Sequence, residues 1–182
     1  MLPDNITKDF SRWEGRIAHM YLDTKNLVTV GIGKMLPDVK AAQALPFVVR
    51  GTSSAASPAQ IAEDFTSVKK QPAAMLAKSY RPFTKLDLPD KAIDDLLLAE
   101  LVIFEGQLKA NFAGYDNYPE PARRALLDMI YNLGLAGLLT FKNLKKAVES
   151  ANWRTAAAEC HRNGPSQQRN DWTHDLFLHA VK

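Results

Sequence analysis

The chain has 182 residues, of which 46% are hydrophobic and 24% charged, with a formal net charge of +3. This usage excludes a collagen-like or disordered chain, and the length suits one domain with a sizeable core, or one compact domain divided into two small lobes. The mild basicity favours a polyanionic partner but falls short of a nucleic-acid-binding signature.

No apolar run approaches the ~18 residues of a membrane span, so membrane insertion is not expected. The opening MLPDNITKDF lacks the basic-then-apolar order of a secretory signal. Work outside the cytoplasm would then need another route of export. A single cysteine, Cys160, rules out an internal disulfide and a zinc site built from several thiolates.

In chain order, Phe10, Trp13, Ile17, Met20 and Tyr21 recur at helical spacing and predict a helix over 7–21. Alternation from Leu27 to Ile32 then predicts a strand. Between them Asp23, Thr24, Lys25 and Asn26 read as a hairpin turn, because Asp and Asn tolerate left-handed backbone. The small-residue loop GTSSAASPAQ, 51–60, offers Ser57 as a cap and Pro58 for the first turn of a helix reaching about Lys70. Asp87 or Leu88 opens a longer helix, marked by Ile93, Leu97, Leu101, Phe104, Leu108 and Phe112, about 34 Å in length. After the turn-rich GYDNYPEP, shorter helices end near Gly134, near Ala151 and at Gly164, the last of these capped by Asn152. A final helix covers Ser166 to Ala180. The class is α+β, mostly α, with a small antiparallel sheet near the N-terminus. No repeat and no true linker is visible.

Two carboxylates stand out. On a continuous helix Glu14 falls about 40° from Phe10, 60° from Ile17 and 20° from Tyr21, inside the apolar sector. A carboxylate there either meets a cation or has its pKa raised by lost hydration, which suits a general acid. Asp23, at the mouth of a hairpin, is either a plain turn residue or a hydrated, ionised carboxylate. Together they match what glycoside hydrolysis requires: one protonated acid for the leaving oxygen and one ionised carboxylate near the anomeric carbon. Thr29, opposite in side to Val28 and Val30, either builds the strand or turns its hydroxyl towards the same cleft to hold a water. His161, His174 and His179 lack metal-ligand spacing, and no metal or cofactor is expected. Asp94, Asp95, Glu100 and Glu105 are assigned to the polar face of the long helix, and Lys142, Lys145 and Lys146 to a solvated one.

The run Glu14-Gly15, Tyr21-Leu22-Asp23-Thr24, Thr29-Val30-Gly31-Ile32-Gly33 resembles, without gaps, the E-G…Y-x-D-T…T-x-G-x-G signature of phage-type lysozymes, the family of the T-even phage muramidase. Arg123-Arg124-Ala125, Met129 to Gly134, Phe141 and Asn152-Trp153 resemble that family's helical lobe. The likeness covers roughly 6–34 and 87–178. It implies a single lysozyme-like domain over 1–182: a small lobe of about 15–86 with an extended insertion, and a helical lobe of about 87–182 that includes the N-terminal helix, joined by the long helix. It further implies a muramidase that cuts peptidoglycan between N-acetylmuramic acid and N-acetylglucosamine. Glu14 would be the acid, Asp23 would activate or position water, and Thr29 would hold it. Gly33, Asn132 and Arg169 would serve the substrate, Arg169 lying eight residues before Phe177 like the family arginine that pairs with the catalytic glutamate. Asn26 stands where the family has glycine, and Lys34 where it has histidine.

The implied partner is the glycan strand of peptidoglycan, met by a monomer in the periplasm or on the cell wall. Delivery would be by another system or as part of a larger protein, either an endolysin or an antibacterial effector. An immunity or inhibitor protein is a further candidate partner. Residues 35–86 read equally as a cap over the cleft, a docking surface or an inert extension. Competing readings are a lytic transglycosylase and a non-catalytic wall-binding or interaction domain on the same scaffold.

Overall fold

A computed structural model describes residues 2–3, 6–13 and 15–181. The fold is α+β and mostly helical, with its antiparallel sheet near the N-terminus. Two compact units are formed, one from Ser11–Leu98 and one from Met1–Phe10 with Ala99–Lys182.

Helix α1 (Ile6–Trp13) ends well before Tyr21, and strand β1 (Ile17–Leu22) takes the rest of the segment expected to be helical. Gly15 disfavours helix continuation. Beyond it Ile17 and Tyr21 pair with Gly31 and Thr29 of β2 (Val28–Gly31), so the backbone is satisfied across strands instead of along a helix. A register irregularity between Ile17 and Tyr21 leaves both His19 and Met20 buried. The segment therefore lacks the strict alternation that marks a strand. Strand β3 (Lys34–Leu36) completes a sheet of order β1-β2-β3.

Residues 35–86 are not a pendant loop. Asp38 caps the short α2 (Val39–Gln43). Ser57 and Gln60 close a capping box on α3 (Pro58–Lys69), with Pro58 in its first turn as expected. Helix α3 buries Ile61, Phe65 and Val68 and packs on β1 and β2. It also buries Asp64, which accepts from the backbone N–H groups of Lys85 (2.9 Å) and Leu86 (2.9 Å). These hold β5 (Leu86–Asp87) beside β4 (Val48–Val49), a second small sheet that no alternating pattern announced. Arg50 forks onto Asp87 and reaches the Thr84 carbonyl at 2.7 Å. His19, in β1, meets the Ala77 carbonyl at 2.9 Å, and Leu88 N–H donates to Ala18 at 2.8 Å.

The long helix α4 (Asp90–Asn111) begins at Asp90 because Leu86–Asp87 is already committed to β5. Leu97, Leu101, Leu108 and Phe112 are buried as predicted. Glu105 is buried too, not on the polar face: four residues after Leu101 and three before Leu108, it lies on the inward stripe.

In the helical unit, α5 (Glu120–Leu138) bends at Gly134, whose φ of 67° and ψ of 169° are open to glycine alone, and then resumes, so it does not stop there. Helix α6 (Lys142–Glu149) is followed by α7 (Trp153–Ala158), capped by Asn152, and by α8 (Gln167–His179), capped by Ser166. Helix α7 ends at Ala158, short of the expected Gly164, because Arg162 turns inward and is 1% exposed. Ile6 and Phe10 of α1 belong to this core, Phe10 stacking on Tyr131 at 4.7 Å.

Two consequences follow for stability. The α6–α7 junction is a Schellman motif, with Asn152 N–H on Ala147 and Ala151 N–H on Val148, and its left-handed position holds Ala151 at φ 54° where glycine is usual. Left-handed alanine costs about 1–2 kcal/mol while glycine loosens the unfolded chain by less, so Ala151→Gly should stabilise by roughly 0.5–1 kcal/mol in urea denaturation. Desolvation holds His19 below the ordinary histidine range, with Arg50 and Arg81 adding to the effect and Asp87 and the Ala77 carbonyl opposing it. The unfolded chain takes up this proton first as pH falls below about 6.5, so the stability contributed by neutral His19 declines from there downward. The urea midpoint should drop less between pH 7 and pH 5 in His19→Gln than in the wild type.

Candidate functional site

The hairpin β1–β2 is built around one residue. Asp23 Oδ1 accepts from Lys25 N–H (2.8 Å) and Leu27 N–H (2.9 Å), its own N–H donates to the Leu27 carbonyl at 3.0 Å, and Asn26 N–H returns to the Asp23 carbonyl. Asn26 takes the left-handed conformation, φ 61°, that the turn demands. Thr29, 1% exposed, donates its hydroxyl to the same Leu27 carbonyl at 3.1 Å. The two peptide groups of Leu27 thus orient both side chains. Asp23 is half-buried, and its Oδ2 has no hydrogen bond among the described residues. Whether Thr29 builds the strand or holds a water, its proton is committed to the backbone and its oxygen is left as an acceptor.

Gly33, in the β2–β3 turn, is exposed at φ 79°, a backbone that favours glycine. Asp23, Thr29 and Gly33 therefore share the sheet-bearing unit. Glu14, the expected acid, lies outside the described residues, as does any bond it makes. Asn132 and Arg169 belong to the helical unit, Asn132 exposed on α5 two residues before the Gly134 bend.

Arg169, 6% exposed, donates Nε to Asp128 Oδ1 at 2.9 Å, with Nη2 also 2.8 Å from that oxygen. The other oxygen of Asp128 receives Arg162 Nη2 at 2.6 Å and lies 2.8 Å from the Thr173 hydroxyl. Asn170 locks the Arg162 backbone through both N–H and carbonyl. Neither Asp128 nor Arg162 is among the candidate residues that the sequence motif marks. The available signal was an acidic residue inside the apolar run Ala125-Leu-Leu-Asp-Met-Ile130.

Burial pushes the Cys160 thiol up to about 11, so it stays protonated and is no nucleophile at neutral pH. Among the described residues no group of His, Cys, Asp and Glu could hold a metal ion. Lys145 pairs with Glu149 and sits over the Phe112 ring. A concavity of about 770 Å³ in the helical unit, lined by Tyr118, Asn152, Trp153 and Arg154 among others, contains none of the expected residues.

Removing the charge on Asp128 tests the buried cluster. Asp128→Asn leaves two buried guanidinium groups facing a neutral amide and should cost about 3–5 kcal/mol, against about 1–3 for Thr173→Val. A loss below about 1 kcal/mol for Asp128→Asn in urea denaturation would show that solvent reaches these groups.

No protein-family model matches the chain. The sequence is similar to a curated protein of Dictyostelium discoideum named "Probable T4-type lysozyme 1", with 24% identity over 170 residues that span 92% of this chain and 84% of that relative. A likeness extending over most of both chains points, at this modest identity, towards the T4-type lysozymes.

Proposed function

We propose that this chain is a peptidoglycan hydrolase of the lysozyme type, cleaving between N-acetylmuramic acid and N-acetylglucosamine. The observation that carries the reading is the hairpin. It presents Asp23 with one oxygen tied to the turn and the other unengaged among the described residues, six residues before Thr29 in the ungapped Glu14-to-Gly33 signature. The likeness to a protein named as a probable lysozyme supports it.

In this reading Glu14 gives its proton to the leaving glycosidic oxygen as the bond to the anomeric carbon breaks. Asp23 takes a proton from the water that attacks the opposite face, and the Thr29 oxygen accepts that water's second hydrogen. One water is consumed and the configuration inverts. Gly33, whose lack of a side chain leaves the β2–β3 turn open, lets a sugar approach the backbone, and Asn132 supplies an amide to the substrate. The site of action is the bacterial wall, with wall lysis as the outcome. A transglycosylase needs no water-activating carboxylate, so the engaged and oriented Asp23 favours hydrolysis.

The test is loss of turbidity of purified peptidoglycan, with products read by mass spectrometry. The wild type should release reducing-end muramic acid, and Glu14→Gln should fall by at least about 100-fold. Wild-type turnover by a folded Glu14→Gln, or anhydro-muramic acid as the product, would overturn the assignment.

A further inference from the structure

Helix α3, in the segment for which the sequence left three readings open, ends beside the turn that carries Asp23. Lys69, in its last turn, extends its ammonium to the Asn26 carbonyl at 2.7 Å. That carbonyl and the Leu27 N–H are the two ends of one planar peptide group. The Leu27 N–H, in turn, donates to Asp23 Oδ1 at 2.9 Å. A cation therefore holds one end of a peptide dipole whose other end holds the carboxylate. Hydrogen bonds in such a chain polarise one another, and both terminal bonds are charge-assisted.

We propose that Lys69 is a positioning residue for Asp23, acting through the Asn26–Leu27 peptide, and that α3 thereby serves the hydrolytic site. The role of the contact in turnover rests on the function proposed above; the contact itself does not.

The geometry explains why an exposed lysine can act in this way. Its helix is anchored by Ile61, Phe65 and Val68, with Val68 fully buried against the sheet, so the side chain starts from a fixed point. The turn it grips contains left-handed Asn26, a conformation asparagine adopts readily, so the ammonium is not required to form the turn and acts on the orientation of the peptide that follows it. A rotation of that one peptide plane would withdraw the Leu27 N–H and swing the carboxylate. Because Lys69 bonds to the turn that carries Asp23 and to none of Gly33, Asn132 and Arg169, the residues assigned to the substrate, it would change the rate of the chemical step and not the binding of the glycan.

The experiment compares Lys69→Met, Lys69→Arg and, as a control, Lys70→Met, whose exposed side chain makes no bond to the turn among the described residues. Two readouts are taken. In ¹H–¹⁵N spectra the Leu27 amide proton should move upfield in Lys69→Met, return in Lys69→Arg and stay in place in Lys70→Met. With peptidoglycan, kcat should fall about three- to tenfold in Lys69→Met with KM unchanged, and recover in Lys69→Arg. Melting temperatures verify that all three remain folded. An unmoved Leu27 resonance in Lys69→Met overturns the proposal whatever the activity. A moved resonance with unchanged kcat overturns the positioning role. A wild type inactive on every wall preparation would instead defeat the proposed function, while the spectra still decide whether Lys69 holds the peptide.

Discussion

A carboxylate withdrawn from water must be met by donors, and each of the two compact units is organised round one that is. In the helical unit Asp128, fully buried, gathers Arg162, Arg169 and Thr173 from the α7–α8 connection and from α8 onto α5. In the sheet-bearing unit Asp64 gathers the Lys85 and Leu86 amides onto α3. Desolvation raises the Asp64 carboxyl above its ordinary range while the two amides oppose that rise. Both cases follow one rule: breaking a buried polar set costs more than forming it gains, so such sets specify an arrangement more than they stabilise it.

The hairpin depends on the second of these sets. With β4, β5 and the 3₁₀ turn Ala77–Phe83 held by Asp64, Arg50 and His19, α3 has a fixed seat against β1 and β2, and its last turn lies where Lys69 reaches Asn26. The turn then has support on both sides: from within, by Asp23 and Leu27, and from outside, by an ammonium. Under the proposed function, a carboxylate held by a rigid peptide would keep its place when substrate displaces water, which is what preorganisation requires. Residues 35–86 are thus continuous with the hairpin's architecture, by packing and by hydrogen bonds.

Local signals in the sequence were strong enough to define several features without tertiary help. Asp23 to Asn26 formed the expected turn, with Asn26 left-handed, because short polar side chains tolerate or bond that backbone wherever they stand. Ser57 and Pro58 opened α3, Asn152 and Ser166 capped α7 and α8, and the apolar stripe of α4 faced inward. The candidate residues Asp23, Thr29 and Gly33 were legible as a motif, and their common unit follows from hairpin geometry alone.

Tertiary structure decided the rest. Ile17 to Tyr21 carries helical spacing, yet became strand because β2 offered it partners, and no one-dimensional period records a partner. The inward turn of Arg162 that ends α7 early, the burial of Glu105 and the union of Asp128 with Arg169 all depend on which distant groups share one desolvated space. Pairing Lys69 with Asn26 spans 43 residues. The sequence by itself determined the turns, the caps and the class of fold, because those rest on interactions within a few residues; which strand pairs, which charge is buried and which lysine supports the Asp23 turn were decided by long-range contacts, whose energies exist only once the chain has closed on itself.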